Sequence, residues 1–427
     1  MIPSMFRKAM VGDGSTLNLD FTTMTATADL TARGLTFTRG STGTRINASG
    51  FVETMSNNVA RFDHNPTTLA PKGLLVEGTA TNLVTYSDLR TTGWAGINAT
   101  GTNDNATAPD NTTTATLWTG TSGGINRAYS AGFSVTSGTT YTISAWVKKP
   151  SSNAARYAKI DVRSSIEGLI GWPSNGTLDL DTGTISGTGY TVTPYQNGWY
   201  RIVSTGTVNA TTTARMFVRI TDASGGEPTV TTALLWWGAQ AETGSGASSL
   251  IPTGASQGTR NADSCVMTGT NFSSWFAGAT EGVLYAECER PRKIMSPAVD
   301  HGIVGSQYQS GGWLAISATA TNQYPAAVIF PTGGFQFAGG IATQIPLVSK
   351  QAVRWFDAND ITNFANGTQG TTNTAGTGTV TPAMLTIGAN STSGAQADLD
   401  WLNACVRRVK FWPVALPNSQ IIALTTP

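Results

Sequence analysis

Apolar and polar residues alternate along most of this chain in short runs broken by Gly, Asn, Ser and Pro. That is the pattern of half-buried β-strands joined by turns. In the run 140–150, Tyr141, Ile143, Ala145 and Val147 fall on one side, and Thr142, Ser144, Trp146 and Lys148 on the other. In 198–208, Tyr200, Ile202 and Ser204 alternate with Trp199, Arg201 and Val203. Side chains alternate across a strand, so each run can bury one face and solvate the other. Strand-like runs recur at 114–120, 127–135, 140–150, 157–164, 176–186, 190–195, 198–208, 214–222 and 233–242. A second series occupies 282–290, 312–321, 326–332, 334–339, 351–357, 361–369, 383–390 and 404–416.

Two features sharpen this reading. Asn366-Gly367 lies between an aromatic-bearing run and a Thr-rich one, a hairpin signal. In 233–242, Leu234, Trp236 and Gly238 fall on one face, and Leu235, Trp237 and Ala239 on the other. A strand apolar on both faces is covered on both, so Trp237 is expected to meet the N-terminal region or a neighbouring chain. Residues 418–427 read as a short helix with Asn418 or Ser419 as N-cap. Residues 1–88 hold shorter extended pieces and two prolines close together, Pro66 and Pro71, with little to fill a core. The chain therefore reads as all-β: an extended N-terminal arm (1–88), which packs on something else, and two tandem antiparallel β-sandwiches of jelly-roll type (89–253 and 254–427).

Composition agrees. Of 427 residues 12% are charged, against about 25% in an ordinary globular protein, while 40% are hydrophobic and 12 are Trp. Such a chain can build cores and is not disordered. The net charge of +1 implies no polyanion-binding track and no nucleic-acid partner. No run reaches the ~18 apolar residues of a membrane helix, and the first residues lack a signal-peptide core. Cys265, Cys288 and Cys405 have no metal spacing and read as inert buried thiols.

Several segments resemble known proteins. The stretch 236–253 (WWGAQAETGSGASSLIPT), with YTISAWVKKP and GWYRI upstream, resembles carbohydrate-binding-module-like jelly rolls of bacteriophage tail and fibre proteins. Residues 35–87 resemble the segment that often precedes those jelly rolls. CVRRVKFWPVALPNSQIIALT and FANGTQ are similar to the last strand, short helix and hairpin of concanavalin A/laminin-G-like domains. The resemblance implies a virion protein of a fibre, head spike or baseplate, assembled in the host cytoplasm and oligomeric. It would be joined to other virion proteins through the arm and would adhere to host surface polysaccharide. Alternatives are a purely structural or decorating role, a polysaccharide depolymerase, or a secreted bacterial carbohydrate-binding protein.

The candidate chemistry is sparse, and no catalytic residue is assigned. His64 and His301 lie in separate modules, each in a turn or loop, unlike a nucleophile–base pair. Sugar binding needs aromatic platforms ringed by polar groups. The expected surface aromatics are Trp94, Trp118, Trp172, Tyr195, Tyr308, Trp313, Tyr324 and Trp355, led by Trp172 and Tyr195 in polar turns. Trp146, Trp199, Trp236 and Trp412 are expected in cores. Asp179 and Asp181 lie on one side of a strand and are a candidate for a structural Ca²⁺, with Asp357, Asn359 and Asp360 of similar standing; otherwise no cofactor is implied.

Overall fold

The computed structural model describes residues 13–121, 124, 126–164, 168, 170–173, 175–226, 231–289, 301–306, 313–318, 327–330, 336–338, 341, 347–356, 360–375, 382–391 and 396–427. The protein is all-β, with four large sheets paired into two sandwiches. Among the described residues, no helix is long and apolar enough to cross a membrane.

The middle sandwich is local in sequence. Its six-stranded sheet is built around Thr140–Lys148, flanked by Tyr200–Thr207 and Ala233–Thr243. Its seven-stranded sheet is built around Tyr157–Arg163 and Thr212–Thr221. The inner residues of both sheets, among them Ile143, Val147, Ile160, Val162, Ile202, Val218 and Trp236, form one core.

Ala233–Thr243 departs from simple alternation. Gly238 takes φ +68°, and Gly238 and Ala239 together oppose one residue of Thr140–Lys148, where the register shifts between Ser144 and Trp146. This bulge moves Ala239 and Ala241 onto the inner face with Leu234 and Trp236, while Leu235 and Trp237 stay outside. A period of two cannot reveal such a slip.

The C-terminal sandwich is composite. Ala404–Trp412 pairs with Glu281–Glu289 along one edge. Its other edge is shared end to end by Pro71–Val76, at Ala404–Val406, and Leu17–Asp20, at Arg408–Phe411. Phe62–His64 extends that sheet, and Thr36–Thr38 joins the opposite one through Ser264–Thr268. The expected arm is therefore corrected over residues 13–88: four of its strands, Leu17–Asp20, Thr36–Thr38, Phe62–His64 and Pro71–Val76, are part of the chain's own C-terminal sandwich, and Leu17, Phe37, Phe62 and Leu74 are in its core. Each piece is too short to bury itself, and Leu17–Asp20, Thr36–Thr38 and Pro71–Val76 find partners in Ala404–Trp412 or Ser264–Thr268, far along the chain, so no local pattern shows these pairings.

Gly43–Ile46 and Val52–Met55 form a hairpin laid over the outer face of the six-stranded sheet. Val52, Ile46 and Leu250 there cover Trp146, Trp199, Leu235 and Trp237. Trp237 thus lies in one apolar cluster with Ile46 and Val52 of the N-terminal region. Beneath this hairpin the three parts of the chain are joined by buried charges. Arg61 pairs with Asp263 and, at 2.7 Å, with Glu77; Arg39 reaches Asp263 at 3.1 Å. Glu77 also accepts from the Ser249 backbone N–H at 2.8 Å and its hydroxyl at 2.6 Å.

The Asn366-Gly367 hairpin forms, with both residues at positive φ (45° and 78°). The C-terminal helix spans Asn418–Thr425, but its N-cap is Pro417, without a side-chain cap. Thr27–Thr31 and Gly269–Phe276 are further short helices. The second places Phe272, Trp275 and Phe276 on one buried face at helical spacing.

Candidate functional site

Where the outer face of the six-stranded sheet emerges from under the hairpin, it forms one wall of a cleft of about 610 Å³. The wall follows from alternation. On Tyr190–Pro194, Tyr190 and Val192 turn inward, and Thr191 and Thr193 turn outward. Thr193 stands opposite Arg201 and Thr191 opposite Val203, so the four share the cleft face. Tyr195 continues this row. The turn after it is made by Asn197 (φ 59°) and Gly198 (φ 77°) in left-handed conformations. Its ring is half-buried and meets Trp146 edge-on, centroids 5.5 Å apart.

The facing wall comes from the N-terminal region and the C-terminal sandwich. Lys72 reaches Glu289 at 3.0 Å and Asp63 at 3.7 Å. The Asp63 carboxylate also accepts from the Ile46 backbone N–H at 2.7 Å. His64 lies at the end of strand Phe62–His64, its Nδ1 3.3 Å from the Ile46 carbonyl. Asn65 uses its side-chain oxygen to hold the turn at Thr67 and Thr68. The Gln196 side chain bridges the two walls by donating to the Thr67 carbonyl at 3.2 Å. At the floor, Arg201 lies 4.5 Å over the Trp146 ring and donates to the Ser144 hydroxyl and the Ser248 carbonyl, each at 2.9 Å. Hydroxyls, an amide, one half-exposed aromatic ring and a lysine–carboxylate cluster therefore converge on one opening.

Of the aromatics expected at the surface, Tyr195 lies in this cleft, and Trp94, Trp118, Trp172 and Trp355 lie elsewhere. Trp94, Trp118 and Trp172 belong to the core of the middle sandwich, and Trp355 to that of the C-terminal one. The expected exposure is corrected for all four. Trp172 follows a Gly-rich turn, but its ring lies on Gly206, whose missing side chain makes the room, and its Nε1 donates to the Ser204 hydroxyl at 3.1 Å. Trp94 and Trp118 donate to the Tyr86 and Leu89 carbonyls. Trp355 stacks on Phe411, and its neighbour Phe356 is the exposed one, at 51%. Trp313 lies on strand Trp313–Ala318, with its side chain outside the described residues; Tyr308 and Tyr324 also lie outside them, as do Asp357 and Asn359. His301 opens strand His301–Ser306.

Asp179 and Asp181 do share one side of their strand end, and protein cations hold both. Arg156 Nη2 is 2.7 Å from Asp179 and Arg156 Nε is 3.2 Å from Asp181, while Lys149 pairs with Asp181. The Arg156 hydrogen bond lowers the Asp179 carboxyl to about 2. Cys265, Cys288 and Cys405 are buried free thiols, and burial pushes Cys288 up to about 12. No group of three or more His, Cys, Asp or Glu suited to a metal occurs among the described residues.

No protein-family model matches the chain. No curated protein matches it either. Solved structures do. Domain 4 of AbnA, a GH43 extracellular arabinanase from Geobacillus stearothermophilus, in complex with arabinotriose, is 11% identical over 39% of this chain and 73% of that one, with TM-score 0.31. The CBM40 of the Ruminococcus gnavus IT-sialidase, bound to alpha2,3 sialyllactose, is 11% identical over 35% and 84%, with TM-score 0.29. The CBM22-1 xylan-binding domain of Paenibacillus barcinonensis Xyn10C is 16% identical over 39% and 97%, with TM-score 0.26. At this distance they place no residue and no ligand on this chain.

Proposed function

We propose that the protein is a non-catalytic saccharide-binding protein of a virion appendage, and that the cleft between its sandwiches is where saccharide binds. The observation that carries the binding reading is the outward row Thr191, Thr193 and Tyr195 facing Lys72 and Glu289 across about 610 Å³. Small-molecule pockets are commonly about 300–1,000 Å³, with a few placed polar groups. A half-exposed tyrosine offers a pyranose ring a flat apolar surface while its hydroxyl stays wet.

A binding role fits this cleft better than hydrolysis. Glycoside cleavage needs one carboxyl group that keeps its proton and one that does not. Here the Lys72 ammonium lies between Asp63 and Glu289 and is within ion-pair distance of both carboxylates, which are thereby engaged within the wall of the cleft. The virion setting rests on the resemblance of residues 35–87 and 236–253 to phage structural proteins. Display in a homo-oligomer would turn weak single contacts into useful avidity.

The test is a glycan array probed with the full chain, followed by titration of the best hit. Tyr195→Ala is expected to weaken binding about tenfold or more, the loss of an aromatic contact of ~1.5 kcal/mol, with a cooperative melting transition retained. Binding that ignores this substitution would remove the cleft from the account. An array without hits would favour the purely structural role. A fall in polymer viscosity on incubation would favour a depolymerase. Labelling of purified virions checks the setting.

A further inference from the structure

Behind the floor of the cleft lies a second, smaller space of about 30 Å³, between the hairpin and the outer face of the six-stranded sheet. Ile46, Asp63, Tyr195 and Arg201 line both spaces, so the two adjoin. Ile46 and Val52 stand directly opposite each other at the end of the hairpin, and Val52, Leu75, Leu250 and the Trp146 ring give the pocket apolar walls. A single water needs about 10–15 Å³ of such space. The pocket therefore has room for about two non-hydrogen atoms and excludes a sugar ring.

Polar side chains of this lining hold partners within the protein. Thr44 donates to the Leu250 carbonyl at 2.6 Å, the Ser249 hydroxyl to Glu77 at 2.6 Å and Arg45 Nε to Glu53 at 2.8 Å. Trp146 differs. Its side chain is buried, the residue 1% exposed, and its Nε1–H has no hydrogen-bond partner among the described residues. The Cε3–Cζ3 edge of that indole is packed on Gly238, where a Cβ would stand 2.4 and 2.7 Å from the two carbons. Nε1 lies on the opposite edge of the ring, the one left to face the pocket. A buried donor without an acceptor costs free energy, and a ligand that supplies the acceptor removes that cost.

We propose that this pocket receives the acetyl group of an N-acetylated sugar whose ring lies against Tyr195 in the cleft. The carbonyl oxygen accepts from Trp146 Nε1, and the methyl group lies among Val52, Leu75 and Leu250. An acetyl group joins a strong acceptor to a methyl and carries no donor. A hydroxymethyl group would bring a donor that needs a further acceptor. A carboxylate would bring a charge, whereas Asp63 and Arg201, of opposite sign, both line the pocket and offer that charge no net attraction. The amide N–H stays at the mouth, which the Asp63 carboxylate also lines. This inference rests on the cleft being a saccharide site and adds the class of sugar it takes.

The test is titration of the full chain with methyl glycosides of N-acetylglucosamine, N-acetylgalactosamine and N-acetylmannosamine, each against its parent hexose, with glucuronic and galacturonic acid alongside. At least one N-acetylhexosamine is expected to bind about tenfold or more tightly than its parent, from one hydrogen bond and one buried methyl group. In saturation-transfer NMR its acetyl methyl should receive the most magnetisation. Trp146→Phe keeps a ring and removes the donor, and Val52→Leu fills part of the pocket; either should cut the preference to about twofold. The second variant keeps the test open where the first fails to fold. A preference indifferent to both substitutions, or stronger binding of a uronic acid, would overturn the proposal. Equal binding of hexose and N-acetylhexosamine, each weakened by Tyr195→Ala, would overturn it and leave the cleft as a saccharide site. Binding of no sugar at all would overturn both.

Discussion

The two sandwiches bury comparable cores by different routes. The middle one is assembled from a single stretch of chain, each strand pairing with others within 94–243. The C-terminal one is closed from both ends, because Ala404–Trp412 finds its second edge in Leu17–Asp20 and Pro71–Val76. The difference shows in what the buried charge joins. A seam between distant segments brings many backbone groups and few matched side chains together, and there the chain places Arg39, Arg61, Glu77 and Asp263, all buried and mutually paired. Pairing of this kind specifies which segments meet, the role best supported for buried ions.

The largest expected effect comes from removing residues 1–78. That deletes Leu17, Leu19, Phe21, Leu35, Phe37, Phe62, Leu74 and Val76 from the C-terminal core. At about 1.5–3 kcal/mol for each buried side chain, the loss equals or exceeds the whole stability of an ordinary domain over most of its range of about 5–15 kcal/mol. The C-terminal sandwich should become protease-sensitive, while residues 89–253 keep a cooperative melting transition by calorimetry. Two intact transitions after the deletion would end the comparison.

A single substitution at the seam follows. Asp263→Asn leaves Arg39 and Arg61 buried without that countercharge, a loss of about 3–5 kcal/mol in denaturant titrations. Glu77 tests the seam by pH. Burial alone would raise its carboxyl, but the Arg260 and Arg61 cations and the Ser249 hydrogen bonds outweigh burial and hold it well below the carboxylate range. A folded value below the unfolded one means that the stabilisation is complete above the ordinary value of 4.5 and is lost as pH falls below it. Glu77→Gln should flatten the acid limb of the stability–pH curve and lower the plateau.

The middle sandwich has its own sensitive point at the bulge. A Cβ at Gly238 would stand 2.4 Å from Trp146 Cε3, on a backbone at φ +68°. Gly238→Ala should therefore cost about 1–3 kcal/mol, read as a lower denaturant midpoint for the middle transition alone. An equal shift in both transitions would mean that the sandwiches unfold as one unit.

Local pattern was legible in the sequence and distant partnership was not. The inward residues of 140–148 and 200–207 follow their alternation, but the other face of 140–148, expected to be solvated, is buried as well, with Thr142, Ser144 and Trp146 each 1% exposed; Trp236 and Trp237 are covered on opposite faces as their adjacency requires. Trp355 and Phe356 show the limit: adjacent aromatics point to opposite sides, and nothing local says which side is solvent. Trp172 shows another, because a Gly/Pro-flanked turn reads as exposed until Gly206, a glycine inside a strand, is seen as its seat. Tyr195 was legible from its polar turn. The facing wall of its cleft, Asp63, Lys72 and Glu289, was not, since it comes from other parts of the chain.

The smallest expected effect uses the same chemistry as the seam, placed at the surface. Arg156 joins Asp179 and Asp181 much as Arg61 joins Glu77 and Asp263, but its side chain is 49% exposed where that of Arg61 is 0%. Water screens the exposed pair, and holding a long side chain still consumes most of the remaining gain. Asp179→Asn should leave both melting transitions close to their original temperatures, and the little it changes should vanish at 1 M salt, where the screening length falls to about 3 Å. Ca²⁺ added to the unaltered protein should shift neither transition, because Arg156 and Lys149 already supply the positive charge that these carboxylates attract. A rise in the middle transition with Ca²⁺, abolished by Asp179→Asn, would show that a cation can displace Arg156. The burial contrast between surface and seam would then not be what sets the worth of these ion pairs.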